Sequence, residues 1–344
     1  MERTIDEFGA ASGGAPCADS PSAAATGPPV AQPLVGVVRN PRSHRNRGHE
    51  AESLDDSAAI AVTPNSRDEL TRELAQFAER GVGLIVVDGG DGTMRDVLSR
   101  GAAIFGEHWP RLMVLPKGKT NALTVDLGMP RQMGVREALT AAASARIVER
   151  RPILVDQPDF PDRRAMGFIL GAGVFTTAIA AGQVAHKYGA FNSLAVGVTI
   201  AAGALQALAG IGRTAWRKLA PMRICTGEGN EEVPHSRHGA PGCRYLAGIS
   251  SLENFPVGLR PFGPVAAGGL RYVLLDAPLR RIILMLPLLC AGWHRPSLSR
   301  LGLHRGAAEC ITLELGEGFI LDGEVFPPGR YRLRLGPPLQ FLVP

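Results

Sequence analysis

The run Gly83-Leu84-Ile85-Val86-Val87-Asp88 passes without a break into Gly89-Gly90-Asp91-Gly92-Thr93, and a helical stretch follows at Met94–Gly101. An uninterrupted apolar, β-branched run of this length reads as a strand buried on both faces, the kind found in parallel sheets. Strand, glycine turn, then helix is the arrangement that aims backbone N–H groups and the positive end of a helix at phosphate. Three glycines let a ligand approach the main chain with no Cβ in the way. Asp91 can hold Mg²⁺ through water, and the Thr93 hydroxyl can bond a phosphate oxygen. The loop has no lysine of the G-x-x-x-x-G-K-[ST] kind, and alone it would also suit a plain tight turn.

Working outward, the flanking sequence repeats the alternation. Leu34–Arg39 predicts a buried strand ending at Asn40-Pro41, and Ala58–Thr63 a second short one. Ser66 with Glu69 is a capping-box pattern opening a helix over Arg67–Arg80, with Leu70, Leu74 and Phe77 on one face and Gly81 closing it. Leu112–Leu115 predicts a fourth strand, followed by Pro116-Lys-Gly-Lys-Thr-Asn121 and a helix start. Met133–Val148 reads as an Ala-rich helix. Alternating strands and helices over 34–150 predict an α/β domain on a parallel sheet. Asn40-Pro41-Arg42-Ser43, the glycine loop and Pro116-x-Gly118-x-x-Asn121 then fall on the same carboxyl edge, where ligands bind in open sheets.

Beyond Arg150 the pattern changes. Arg151–Gln157 and Ala165–Gly171 predict strands, and Val174–Lys187 and Ser193–Lys218 helices. Short strands follow at Met222–Thr226, Arg244–Ser250, Leu270–Leu275, Cys310–Leu315 and Arg330–Leu335, separated by Gly and Pro. This predicts a second, mainly antiparallel β domain over 151–326, with 327–344 expected to return to the first. Residues 1–33 are rich in Ala, Ser, Gly and Pro and predict a disordered tail. With 344 residues the chain is long enough for two cores.

Composition narrows the function classes. The net charge of +5 is mild, and no concentrated basic stripe with stacking aromatics appears, so nucleic acid is not an expected partner. Five scattered cysteines without C-x-x-C spacing argue against a disulfide framework or a zinc site, and suit a reducing, cytoplasmic compartment. Leu194–Gly212 has the length of a membrane span but is dominated by Ala and Gly, carries Gln206 and predicts a buried or interfacial helix. Leu279–Trp293 is more apolar but broken by Pro287.

These loops in combination resemble the diacylglycerol kinase catalytic family, which includes bacterial lipid kinases, sphingosine kinases and ceramide kinase. The resemblance runs from Leu34 to Glu324. It implies an ATP site at Asn40, Thr63, the loop Gly89, Gly90, Asp91, Gly92, Thr93, Met94 and Arg95, and at Gly118, Lys119 and Asn121. It implies that the acids of Leu321-Asp322-Gly323-Glu324 serve as general base toward a lipid hydroxyl, with Asp91 also at the catalytic centre. It further implies that the second domain is a β-sandwich, with a lipid cleft between the domains, ATP and Mg²⁺ as cofactors and diacylglycerol as the simplest substrate. A carboxylate in reach of an alcohol can take its proton as the phosphoryl group arrives. Peripheral membrane contact is expected, and a homodimer is compatible with the sequence. A sphingoid-base kinase, or a non-catalytic nucleotide or lipid sensor, are the alternatives on the same fold. An NAD kinase shares the G-G-D-G loop but lacks the N-P-x-S opening and the D-G-E segment.

The sequence also departs from the family. Lys119 stands where a threonine is usual, Ala122 where many members have aspartate, and two of only four lysines, Lys117 and Lys119, lie in this one loop. The family's metal-binding D-G-x-x-D turn aligns with Gly268-Gly269-Leu270-Arg271-Tyr272, which has lost both acids, so that structural metal site is expected to be absent. Arg42, Arg45 and Arg47 are candidates for holding phosphate or a headgroup.

Overall fold

The computed structural model describes residues 33–50, 59–160, 163–177, 217–264 and 268–344. Nearly all of the expected tail, the span-length segment Leu194–Gly212 and most of the two helices expected at Val174–Lys187 and Ser193–Lys218 lie outside the described residues. In chain order the first strands are β1 (Val35–Arg39), β2 (Ala59–Val62), β3 (Leu84–Asp88), β4 (Arg111–Val114), β5 (Arg146–Arg150), β6 (Ile153–Asp156), β7 (Arg164–Gly167) and β8 (Ile169–Gly173). They are followed by β9 (Ala220–Thr226), β10 (Glu231–Glu232), β11 (Cys243–Arg244), β12 (Leu246–Ser250), β13 (Leu270–Leu275) and β14 (Leu303–Ala308). The last are β15 (Cys310–Leu315), β16 (Phe319–Leu321), β17 (Glu324–Phe326), β18 (Gly329–Leu335) and β19 (Leu339–Val343).

The first sheet has the order β2-β1-β3-β4-β19-β5. Strands β1 to β4 and β19 are parallel, and β5 runs antiparallel to β19. Central β3 has every residue buried, as its apolar run requires. Helices α1 (Arg67–Glu79), α2 (Asp91–Phe105), α3 (Ala122–Leu127) and α4 (Val135–Ala141) connect these strands. Leu70, Leu74 and Phe77 of α1 face the core, and the Ser66 hydroxyl accepts from Glu69 N at 3.1 Å, capping the helix start. The Glu69 carboxylate returns to Asn65 N, not to the Ser66 amide of a standard capping box.

The helix expected over Met133–Val148 is shorter. Only Val135–Ala141 is helical, and Arg146–Arg150 is strand β5. Arg-Ile-Val-Glu-Arg pairs along its whole length with Leu339–Val343. Tertiary pairing of a β-branched segment thus overrides the helical preference of the alanines before it.

The second and third sheets are antiparallel. One has the order β10-β9-β15-β18-β6-β7, with β11 also on β9; the other is β14-β13-β12-β8-β16-β17. Both contribute to one apolar core, with Ile153, Ile224, Ile311, Leu313 and Leu333 from the first and Leu170, Ile249, Leu274 and Phe319 from the second. At about 1.5–3 kcal/mol for each fully buried large apolar side chain, this core is a dominant stabilising term of the domain. Arg244 and Asp276 form a buried ion pair within it, and His304 Nε2 lies 3.0 Å from Asp276.

The chain changes sheet at Phe168, between β7 and β8. A strand that leaves one ladder for another exposes main-chain amides to an apolar interior, where they need acceptors. The acceptor here is a side chain of the site described next.

Candidate active site

Three loops meet at the carboxyl edge of the first sheet. The Asn40 side chain donates to Thr93 Oγ1 at 2.8 Å and accepts from Arg42 N at 2.9 Å, so it shapes the first loop and ties it to the glycine loop. Buried Asn46 donates to Asp88 O at 3.0 Å, fastening the same loop to the end of β3. A Cβ on Gly90 would come within 2.6 Å of Gly118 Cα. The glycine loop and the third loop therefore touch backbone to backbone, and no other residue type fits at Gly90.

Asp91 joins these two loops chemically. Its oxygens accept from Ala122 N at 3.0 Å and Leu123 N at 3.2 Å. The amides it takes belong to the first turn of α3, whose own N-cap, Asn121, has a left-handed φ of 53° and makes no side-chain cap bond. Asp91 caps that helix from outside. Burial pushes its carboxyl above the usual carboxylate range, against the pull of the amides. The Asn121 side chain instead closes its own loop, accepting from Gly118 N at 2.8 Å and donating to Gly118 O at 3.1 Å.

The acidic turn comes from the second domain. Asp322 and Gly323, with φ of 43° and 85°, form the two-residue link between β16 and β17. Paired positive φ values belong to a hairpin turn in which Asp-Gly is favoured. Asp322 Oδ2 accepts from Phe168 N and Oδ1 from Ile169 N, both at 2.9 Å, so it satisfies the amides left over at the sheet change. A Cβ on Gly167 would meet Asp322 Oδ2 at 2.6 Å. Burial and the neighbouring Asp91 charge raise the Asp322 pKa to about 7, despite the two amides and Arg95. Glu324 is the opposite case: burial works against its charge, but the Arg67 hydrogen bond and the Arg95 charge win and hold its carboxyl below the usual range. Asp96 bridges the same two guanidiniums.

One cavity of about 910 Å³ collects these groups. Asn40, Gly90–Thr93, Lys119, Asp322 and Glu324 line it together with Phe168, Phe175, Ile249, Leu252, Phe255 and Phe262. Arg95 and Gly118 also line it, and the other sequence candidates lie elsewhere. Met94 is a correction: it is fully buried in the core of the first domain, because it sits on the sheet-facing side of α2. Thr63 is exposed beyond β2 and is not among the cavity's lining residues. Gly89 sits beneath the loop, where a Cβ would strike the Thr93 side chain at 2.5 Å. Arg47 donates to Arg42 O within its own loop and Arg45 to Arg131 O between α3 and α4, so these guanidiniums hold main chain.

Sequence reasoning missed three parts of the site. Arg67 and Asp96, which complete the Arg95–Glu324 network, look like ordinary helix-surface charges in the sequence. Buried Asp126 accepts from Glu253 N at 2.8 Å and Arg150 Nε at 2.6 Å, binding α3 to the loop after β12. Its only sequence signal is a single acid in an apolar turn. The apolar wall joins strand residues such as Leu170 and Ile249 to Leu252, Phe255 and Phe262 of the segment after β12, where no periodicity marks them.

Residues 35–152 match the family of the diacylglycerol kinase catalytic domain. No curated protein matches the chain. Among solved structures, a diacylglycerol kinase from Bacillus anthracis Sterne is 15% identical with a TM-score of 0.59, over 91% of this chain and 97% of that one. A second crystal structure from the same organism, of a protein proposed to be a diacylglycerol kinase, gives 15% identity and a TM-score of 0.61 over the same shares. At this identity the structural likeness establishes the shared two-domain fold. The match makes residues 35–152 similar to a diacylglycerol kinase catalytic domain, set within the two-domain fold that the chain shares with these structures.

Proposed function

We propose that the protein transfers the γ-phosphate of ATP to the hydroxyl of a membrane lipid, diacylglycerol being the simplest candidate. The observation that carries this reading is the make-up of the 910 Å³ cleft. A glycine loop at a helix start and an acidic turn line it together with aromatic and aliphatic side chains. Such a cleft matches an amphiphile whose reacting hydroxyl must meet a phosphate while its chains stay out of water.

The glycine loop suits ATP. A Cβ on Gly92 would meet only Asp322 O, at 3.9 Å, so the loop's main chain is open to the cleft where the N-terminus of α2 points. Lys119 lines the same space. For Mg²⁺ the fit is to an ion carried by the nucleotide: among the described residues no three His, Cys, Asp or Glu side chains group as a cage, and Asp91 already holds two amides. Magnesium commonly binds through phosphates, waters and one or two carboxylates, and supplies neutralisation of phosphate charge.

In this reading Asp322 is the general base. Its raised pKa keeps proton affinity near neutrality, where a base takes a hydroxyl proton most effectively. The proton passes from the lipid hydroxyl to Asp322, the lipid oxygen bonds the γ-phosphorus, and the bond to ADP breaks. Glu324 stays ionised and, with Arg95 and Arg67, holds the turn in place. Asp91 positions the glycine loop against α3. The test is steady-state turnover of ATP with a panel of lipid alcohols in detergent micelles. Stimulated ADP release with one class of lipid alcohol is expected; tight ATP binding with no stimulation by any of them would reject the reading.

A further inference from the structure

The segment 277–308 contains five arginines and no aspartate or glutamate. Its two short helices, α5 (Arg280–Leu284) and α6 (Leu286–Cys290), present large apolar side chains to solvent: Leu284 is 69% exposed and Leu288 56%, with Leu286 beside them. Ile282 and Leu289, on the other side, are buried in a small cluster with Leu275, Leu298 and Leu303. The exposed leucines are therefore left over after the fold has taken the apolar residues it needs.

A second exposed pair adjoins them. Arg260 N donates to Cys290 O at 2.7 Å, joining the end of α6 to the 255–263 loop. On that loop Val257 is almost wholly exposed and Leu259 is exposed, while Phe255 and Phe262 pack ring to ring at 5.4 Å and line the cleft. The loop thus has one side in the wall of the cleft and the other in solvent. Arg260 follows Leu259, Arg281 lies on α5, and Arg295 and Arg300 follow α6 in the chain; all four are exposed. The nearest acid in sequence to the loop, Glu253, is engaged with Arg150 at 2.9 Å.

We propose that this face, Val257 and Leu259 with Leu284, Leu286 and Leu288, docks on the surface of an anionic phospholipid bilayer. Exposed apolar side chains in a patch need a covering partner. Arginines among them, without acids, would be left uncompensated against an ordinary apolar protein surface, whereas a bilayer interface offers phosphates at headgroup level and hydrocarbon just beneath. Helices of five residues cannot span a bilayer, and no described helix is long and apolar enough to do so. The delivery of substrate from this face into the cleft rests on the lipid-kinase reading; the docking itself does not.

The test is flotation of the full chain with phosphatidylcholine vesicles, with and without phosphatidylserine. Wild type is expected to float with the serine-containing vesicles and to be released by salt. The double variant Leu284→Asp/Leu288→Asp, and separately Arg281→Ala/Arg295→Ala, should each lower that binding by about tenfold or more. Because these residues lie outside the cleft lining, turnover of a short-chain, water-soluble lipid alcohol should be unchanged, which also reports correct folding. Wild-type flotation by both variants would overturn the docking face. So would sedimentation velocity showing that the face joins two copies of the chain and that the aspartates separate them. Vesicle binding without any lipid phosphorylation would reject the kinase reading and leave the docking face standing.

Discussion

Arg95 forms an ion pair with Glu324 at 2.5 Å, between helix α2 and the β16–β17 hairpin. The same guanidinium donates to Leu321 O and Asp322 O, each at 3.3 Å. One side chain thus grips the acidic turn by its main chain and by its carboxylate. Helix α2 begins at the glycine loop, so the grip holds two halves of the site at fixed separation.

Arg95→Lys should therefore damage catalysis more than nucleotide binding. A lysine ammonium cannot reproduce a planar fork aimed in two directions. The expected result is a kcat lowered by about tenfold or more with ATP affinity nearly level, since misplacing a reacting group by a fraction of an ångström is costly. Steady-state kinetics beside ATP titration measures both. A matching loss of ATP affinity would make Arg95 a nucleotide ligand.

Asp322→Asn should reduce kcat by roughly 10²-fold or more. In wild type the kcat profile should rise with pH through about 7, the value to which burial and the Asp91 charge bring Asp322. That rising limb should be missing from the residual activity of the variant. Glu324→Gln should retain the limb, because Glu324 is already ionised through this range.

The same shift affects stability, with a definite sign. A carboxyl whose folded pKa exceeds its unfolded value favours the folded state when protonated. Its contribution is complete below the unfolded value near 3.8 and is lost as pH climbs through about 7. The size is at most about 4 kcal/mol, at 1.36 kcal/mol per pKa unit. Thermal melts of wild type should fall between pH 4 and 8 more steeply than those of Asp322→Asn. Parallel curves would remove Asp322 as the source.

Much of this was legible in the sequence, for physical reasons that differ from place to place. Strand β3 and the glycine loop read directly because a strand buried on both faces leaves a continuous apolar run. The turn at Asp322-Gly323 read as a site, but not the reason its carboxylate sits where it does. The amides of Phe168 and Ile169 need an acceptor only because the chain changes sheets there, a tertiary event with no local signal. Strand β5 was hidden by the alanines before it, since its partner at Leu339–Val343 is nearly two hundred residues away in the chain. Met94 belonged to the motif by position, yet helical periodicity turns it into the core.

Asp91→Ala should raise the dissociation constant for ATP and lower stability together. The substitution strands the Ala122 and Leu123 amides, at about 1–3 kcal/mol for a buried group left unpaired. Calorimetric ATP titration with a thermal melt would check it, and Asp91→Asn, which keeps one acceptor, should lie between. Unchanged stability in both would show that the cap is dispensable.

Lys119→Thr should weaken ATP more than ADP. A cation lining the phosphate side of the cleft interacts most with the terminal phosphate, while a hydroxyl contributes only about 0.5–1.5 kcal/mol as a neutral hydrogen bond. Titration of both nucleotides into both proteins measures the difference. Equal losses for ATP and ADP would place the lysine away from the γ-phosphate.

Phosphate transfer to a lipid hydroxyl is best checked by following the phosphate itself. The protein is incubated with ATP labelled with ¹⁸O in the γ-phosphate and diacylglycerol in mixed micelles, and the lipid is recovered for mass spectrometry. A lipid phosphate monoester carrying the label is expected from wild type, formed at least roughly 10²-fold more slowly by Asp322→Asn. Label found only in inorganic phosphate, or retained in ATP across a panel that includes sphingoid bases, would contradict it.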